Sequence, residues 1–263
     1  MLKLEIMEGK ERNNAKEYNE LGFGTAVTLR LTKKYHNTNR TVIIDSAFAS
    51  LKCVTNLKLN GLFTCGMVKT ASRGYPKAFL VEKLAQLARG ESYILIKNHQ
   101  EANQAPIYAV AWKNTNNVTI ITNRGENVLV DPYIESYTHI VEVDGVLQDQ
   151  KERNEISRTD MIKLYYDNYS KIDIHNHYRQ SSVAMERVWA TKSWVHRLFG
   201  TILGIIFTDC FLAYLLEYNQ NNEDNPTKSY KLMEYLDKLA YQLIHNRYLN
   251  NNRGLRNQDD EVY

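Results

Sequence analysis

Cysteine is scarce in this chain: Cys53, Cys65 and Cys210 are all there is in 263 residues. The count is odd and no two form a C-x-x-C pair. That excludes a disulfide framework and a zinc ribbon, and it fits a reducing compartment. Excess charge is also missing. Lys and Arg number 33 against 30 Asp and Glu, for a formal +3, so any nucleic-acid site must come from local clustering. Residues 1–10 hold Lys3, Glu5 and Glu8 among their apolar neighbours. They have no apolar h-region, and no secretion signal is expected. Without one, the sequons at Asn117-Val118-Thr119 and Asn168-Tyr169-Ser170 carry no expectation of a glycan. There is no P-loop, dinucleotide fingerprint, nucleophile elbow or internal repeat, so no small-molecule cofactor is expected.

What is present is enough apolar material for a core, 43% of residues, and an unusual 18 tyrosines. Tyr suits half-buried surfaces, where the ring packs and the hydroxyl meets water. Residues 198–216 approach membrane length, but Asp209 lies inside the run and Arg197 and Glu217 flank it. An ionised Asp there would cost about 2.5–3.5 kcal/mol or more in lipid. A buried helix in a soluble protein is therefore expected, with no membrane partner.

Along the chain, alternation at Leu2, Leu4 and Ile6 reads as a half-buried strand over residues 2–7. A polar loop follows at 11–20, and 25–31 fits helix or strand. Residues 41–44 form a β-branched run ending at Asp45, which suits a strand buried on both faces. Apolar residues spaced by three at Phe48, Leu51, Val54 and Leu57 predict a helix over 47–59, closed by Asn60-Gly61. A second strand is expected at 62–68. Strand, helix and strand make an α/β unit. Three more strands, 91–97, 106–112 and 118–123, read as a meander, and 141–150 is ambiguous. Helical character starts at Ser157, where Asp160 completes a plausible capping box. Helices are expected at 159–169, 172–185, 193–218 and 227–247. Residues 1–155 thus form a strand-rich part, 156–249 its helical completion, and 250–263 a frayed tail.

Four groups of residues have the chemistry for a site. Asp45 ends a strand where open α/β sheets place their sites, and its carboxylate suits a hard cation; it also fits an N-cap for the following helix. Asp173, Asn176, His177 and Gln180 fall at i, i+3, i+4 and i+7, one polar helix face that is either functional or simply solvated. Flanking Ile172 and Ile174 favour a face that is not wholly in solvent, while His175 and His177 point to opposite sides. Arg187, Trp189, Lys192, Trp194, His196 and Arg197 make a basic and aromatic cluster able to neutralise phosphate and stack on bases. The alternative there is core tryptophans beside a solvated stretch. Lys69 and Arg73 form a second, shorter basic loop.

These blocks, in this order, resemble the piggyBac-type transposase domain. The matching stretches are Val42-Ile43-Ile44-Asp45-Ser46-Ala47-Phe48, then Gly66-Met67-Val68-Lys69 with Arg73 and Pro76. Ala111-Trp112-Lys113 with Val118, Ile172-Asp173 with Arg179-Gln180, and Lys192-Ser193-Trp194 entering the long apolar helix complete the set. The resemblance implies an α/β, RNase H-like mixed sheet followed by a helical C-terminal part, and Mg²⁺-dependent DNA cleavage and strand transfer by three metal-binding aspartates. Asp45 matches the second and Asp173 the third, and the two are expected to approach closely enough to share a cation. The first aspartate and its strand have no counterpart, so the domain is expected to lack its first strand and to be inactive. Ser46 stands where the family has Asn, Ser170-Lys171 where it has a glycine pair, and Asn176 where it often has an acid. DNA contact by Lys69, Arg73, Arg187, Lys192, Trp194 and Arg197, dimerisation and a nuclear location are further implications. A non-catalytic DNA- or chromatin-binding protein of the same fold is the alternative.

Overall fold

The computed structural model describes residues 3–6, 12, 16–69, 72–97, 106–143, 146–189, 191–221 and 231–245. The expected tail at 250–263 lies outside them. The chain divides into two compact units, residues 2–170 and 171–263.

The first unit is built on a mixed five-stranded sheet. Its strands are β1 (Thr41–Ile44), β2 (Phe63–Met67), β3 (Ser92–Lys97), β4 (Ile107–Lys113) and β5 (Asn117–Thr122). Their order is β1-β2-β5-β4-β3. β1 and β2 run parallel, joined by the helix α2 (Leu51–Leu59), and the other neighbours are antiparallel. The α/β unit and the meander expected from the sequence are both present. β1 is the terminal strand of this sheet and only its last residue, Ile44, is buried. It is not the strand buried on both faces that its Val and Ile content suggests.

Alternation along β4 fills two cores at once. Ile107, Ala109 and Ala111 face one layer, with α2, α1 (Phe23–Thr32) and α3 (Lys77–Leu84) packed over them. Val110 and Trp112 face the other, beneath Ile156, Met161, Ile162 and Tyr165. Trp112 is fully buried, and its indole N–H donates to the Ser157 carbonyl at 2.9 Å, so the ring is both packed and satisfied. Asn123 clasps the sheet from within. Its Oδ1 accepts the Thr64 amide at 2.6 Å, and its amide group donates to the Leu62 carbonyl.

Two expectations are corrected and one ambiguity is resolved. Residues 3–6 form no strand: Leu4 and Ile6 are exposed, and Glu5 is the half-buried one, held by Arg30 of α1. Specific charge pairing there overrides the apolar alternation. Residues 141–143 and 146–150, ambiguous in the sequence, belong to two long paired strands, β6 (Leu129–Val143) and β7 (Val146–Thr159). Because β7 runs on to Thr159, there is no capping box at Ser157. The helix α4 (Asp160–Tyr166) starts three residues later, with no side-chain cap.

The second unit is helical. α5 (Lys171–Tyr178) runs into a π-helical turn (Arg179–Val183), followed by α6 (Met185–Val188), α7 (Trp194–Asn221) and α8 (Leu232–Ile244). On α7 the buried positions are Gly200, Gly204, Thr208 and Phe211, one stripe at helical spacing. The fully buried helix expected there is buried along that stripe, while Phe199, Ile206 and Leu216 are exposed. By length and composition α7 could cross a membrane. Asp209, within it, pairs with His175 of α5 at 3.1 Å.

Candidate functional site

Asp45 follows the last residue of β1, at the carboxyl end of the sheet's parallel pair, and is exposed. It does not cap α2. That role belongs to Ser50, whose hydroxyl accepts the Cys53 amide at 3.2 Å. Instead the Asp45 carbonyl accepts the amides of Phe48 and Ala49, which turns the chain before the helix, and the Ser46 hydroxyl donates to its carboxylate at 3.3 Å. With the N-cap reading removed, the Asp45 carboxylate is left at a strand end with one weak partner, presented to solvent.

The turn after Asp45 opens into a cleft of about 380 Å³. Ala47 and Phe48 line one side, residues 22–25 at the start of α1 another, and Ser50, Lys52, Ser72 and Arg73 complete it. Among the described residues no carboxylate lines it. Lys52 and Arg73 place two cations there, and the first turn of α1 has no side-chain cap, so its free amides add to a potential that favours anions. Arg73 was anticipated from the sequence; Lys52 was not. Its only signal is a lysine one residue into the helix that follows the strand of Asp45. Lys69 is exposed at the end of β2, and its carbonyl accepts from the Lys77 ammonium.

In the second unit, Asp173 lies in the first turn of α5 and is exposed. Ile172 and Ile174 are exposed too, so they do not bury its face. Arg187, Lys192 and Arg197 do come together. They line a second cleft of about 710 Å³ with Glu186, Thr191 and Thr201. Arg197 is anchored by donating to the Thr191 carbonyl at 2.9 Å. Trp194 is not part of that wall; it is 72% exposed at the start of α7. Trp189 is the aromatic beside the cluster, stacked on Phe199 at 6.1 Å between ring centroids.

Metal binding can be tested on donor chemistry. Among the described residues no three His, Cys, Asp or Glu side chains lie close enough to hold a metal ion. Asp45 and Asp173 are hard oxygen donors of the right kind, one in each unit. A two-metal phosphoryl-transfer centre needs several carboxylates around two cations about 3.5–4 Å apart. Among the described residues neither unit supplies that set.

Residues 1–209 match the family model described as Transposase IS4. The chain belongs to the Transposase IS4 family. No curated protein sequence matches it. The cryo-EM structure of the piggyBac transposase synaptic complex with hairpin DNA matches this IS4-family domain with a TM-score of 0.53 at 18% identity. The match covers 92% of this chain and 46% of the other, so the chain spans about half the length of that transposase. The piggyBac-type resemblance and the α/β architecture with a helical C-terminal part are thus borne out, and the family implies divalent-metal chemistry for the parent class.

Proposed function

We propose that this transposase domain engages DNA phosphates but does not by itself cut DNA. The observation that carries the reading is the cleft leading away from Asp45. Among the described residues it is lined by Lys52 and Arg73 and by no acid, and Asp45 itself stands beside this lining, not in it. The Arg187, Lys192 and Arg197 cleft adds a second concentration of cations. Phosphate neutralisation needs charge and tolerates loose geometry. Two-metal transfer does not, because a misplacement of about 1 Å can cost about a hundredfold in rate. Glu5, an acid at the start of the chain, is bound to Arg30 and Lys16. Asp45 and Asp173 remain the two residues this reading assigns to a cation, by their match to the family's second and third aspartates.

The test is incubation of the 263-residue chain with DNA carrying piggyBac-type transposon ends, in Mg²⁺ and then Mn²⁺, beside an Asp173→Ala control. Salt-sensitive binding without nicking is the expected result. Metal-dependent nicking that disappears in the control would overturn the inactivity. Absence of binding at low salt would overturn the DNA reading. The same reading puts the protein's site of action in the nucleus, which imaging of a tagged chain checks.

A further inference from the structure

The hairpin formed by β6 and β7 is much longer than its footing. Tyr133 and Ile156 anchor it on the core that holds Trp112, and Glu135 is tied to Arg89. Beyond that point residues 136–140 and 149–153 are exposed on both faces. An isolated two-stranded ribbon is marginal in water. Among the described residues β6 pairs with β7 alone, so its outer edge offers unpaired backbone groups. Pro132, at the register shift between Val130 and Tyr133, marks where the arm leaves the body.

Edges of this kind are usually blunted by lysine or proline. The exposed part of β6, from Tyr133 to Val141, has neither. It has instead a palindromic order of side-chain types about Tyr137. Pairing β6 antiparallel with a second β6 across a two-fold axis at Tyr137 sets Tyr137 against Tyr137, Ser136 against Thr138, Glu135 against His139, and Ile134 against Ile140. Aromatic, hydroxyl, acid–imidazole and aliphatic pairs are the favourable cross-strand combinations. Moving the axis by one residue destroys this. Centred on Thr138, Ser136 meets Ile140 and Glu135 meets Val141; centred on Ser136, Glu135 meets Tyr137. The β7 edge carries more charge and meets itself less well about its outer residues. Centring it on Lys151, Glu152 or Arg153 sets Lys151 on itself, Lys151 on Arg153, or Arg153 on itself. Ile134, Tyr137 and Ile140 are 47%, 41% and 67% exposed, apolar surface that such a contact would cover. Nucleic acid is a poor occupant, because residues 129–159 carry seven acids against Lys151, Arg153 and Arg158.

We propose that β6 is a homodimerisation edge: two copies of this chain join their arms antiparallel about Tyr137 into a four-stranded sheet ordered β7-β6-β6-β7. Glu135 of each copy accepts a hydrogen bond from His139 of the other, while His139 keeps Glu152 as its neighbour within the hairpin.

Sedimentation of the full chain over a concentration series tests this. The double variant Ile134→Lys/Ile140→Lys sets lysine against lysine at both symmetry-related pairs. Within one arm each new lysine faces an acid, Glu155 or Asp149, so the hairpin itself is not disfavoured. The dimer should weaken by about tenfold or more. Ile134→Glu/Ile140→Lys combined with Glu155→Lys, which keeps the new glutamate opposite a lysine within its own arm, sets opposite charges at the same pairs and should restore it. In a Cys210→Ser background, Tyr137→Cys should oxidise to a covalent dimer, because residues opposite at the axis have Cα atoms about 4.5–5.5 Å apart, within disulfide reach. Ile140→Cys should not, since the two copies of residue 140 would lie six steps apart, roughly 20 Å. A chain that stays monomeric throughout, a dimer indifferent to the lysine pair, a charge-swapped variant as dissociated as the lysine variant, or cross-linking at 140 in preference to 137 would each overturn the proposal.

Discussion

Glu5 is gripped by Arg30 at both carboxylate oxygens, with Nη2 to Oε1 at 2.6 Å and Nε to Oε2 at 3.0 Å, and Lys16 stands 3.5 Å away. The Arg30 hydrogen bonds hold the Glu5 carboxyl below its ordinary value of 4.5. A carboxyl lowered by folding stabilises the fold above the unfolded value and loses that contribution as pH falls through the lowered folded value. Glu5→Gln should therefore lower the melting temperature at neutral pH and change it little at a pH well below 4.5, as thermal unfolding at the two pH values would show. An equal loss at both would show that the packing of the residue, and not its charge, matters. Thiols give a second test at this scale. Burial pushes Cys53 up to about 11 and Cys65 to about 12, while Cys210 is exposed. Reaction needs a reachable thiolate. A chromogenic disulfide reagent should label Cys210 in the native protein and reach Cys53 and Cys65 only after denaturant is added. Fast native labelling after Cys210→Ser would contradict the core described here.

Among the elements, the parallel pair β1 and β2 depends on Gly66. A Cβ there would lie 2.5 Å from Ile44 Cγ1 and 2.9 Å from the Ile44 carbonyl oxygen, with the Ala49 methyl at 3.2 Å. The Ile44 oxygen belongs to the backbone immediately before Asp45 and cannot rotate away. Gly66→Ala should cost about 1–3 kcal/mol by overpacking, read as a lower denaturation midpoint, and should displace the turn that presents Asp45. An unchanged midpoint would mean that β1 yields easily. The same scale explains what could be read from the sequence. β4 and β5 were legible because β-branched and apolar residues concentrate where strands pack on both sides, and β1 from the same residue types although only Ile44 is buried. Asp45 and Arg73 were legible because each sits at a break after such a run. The hairpin was not, since its outer residues face solvent on both sides and its sequence has no apolar period to betray it. Lys52 was invisible for another reason: only the turn through Ala47 and Phe48 brings it to the same cleft as Arg73. Trp194 stood out as an aromatic among cations, yet the stacked partner in that region is Trp189, which packs on Phe199 of α7.

For the molecule as a whole, a formal charge of +3 in 263 residues leaves almost no net attraction for a polyanion. If the chain binds DNA, the affinity must come from the two basic clefts, and its salt dependence will count their contacts. Each phosphate neutralised contributes about −0.9 to the slope of log K against log salt for duplex DNA. Removing two cations that both touch phosphate should therefore reduce the slope by about 2. Lys52→Ala/Arg73→Ala addresses the cleft beside Asp45 and Arg187→Ala/Arg197→Ala the other. Arg197 donates to the Thr191 carbonyl within its own unit, so its loss can also loosen the segment before α7. Lys52 and Arg73 are exposed, which makes the first pair the cleaner measurement. Fluorescence anisotropy with a labelled duplex over a salt series supplies the slopes. If both clefts lie on the DNA path and act independently, each pair lowers the slope and the fourfold variant lowers it by about the sum. Should the Lys52 and Arg73 pair leave the slope unchanged while the other pair lowers it, the cleft at Asp45 does not carry DNA. The strand end inherited from the transposase fold would then be bystander structure in whatever binding remains.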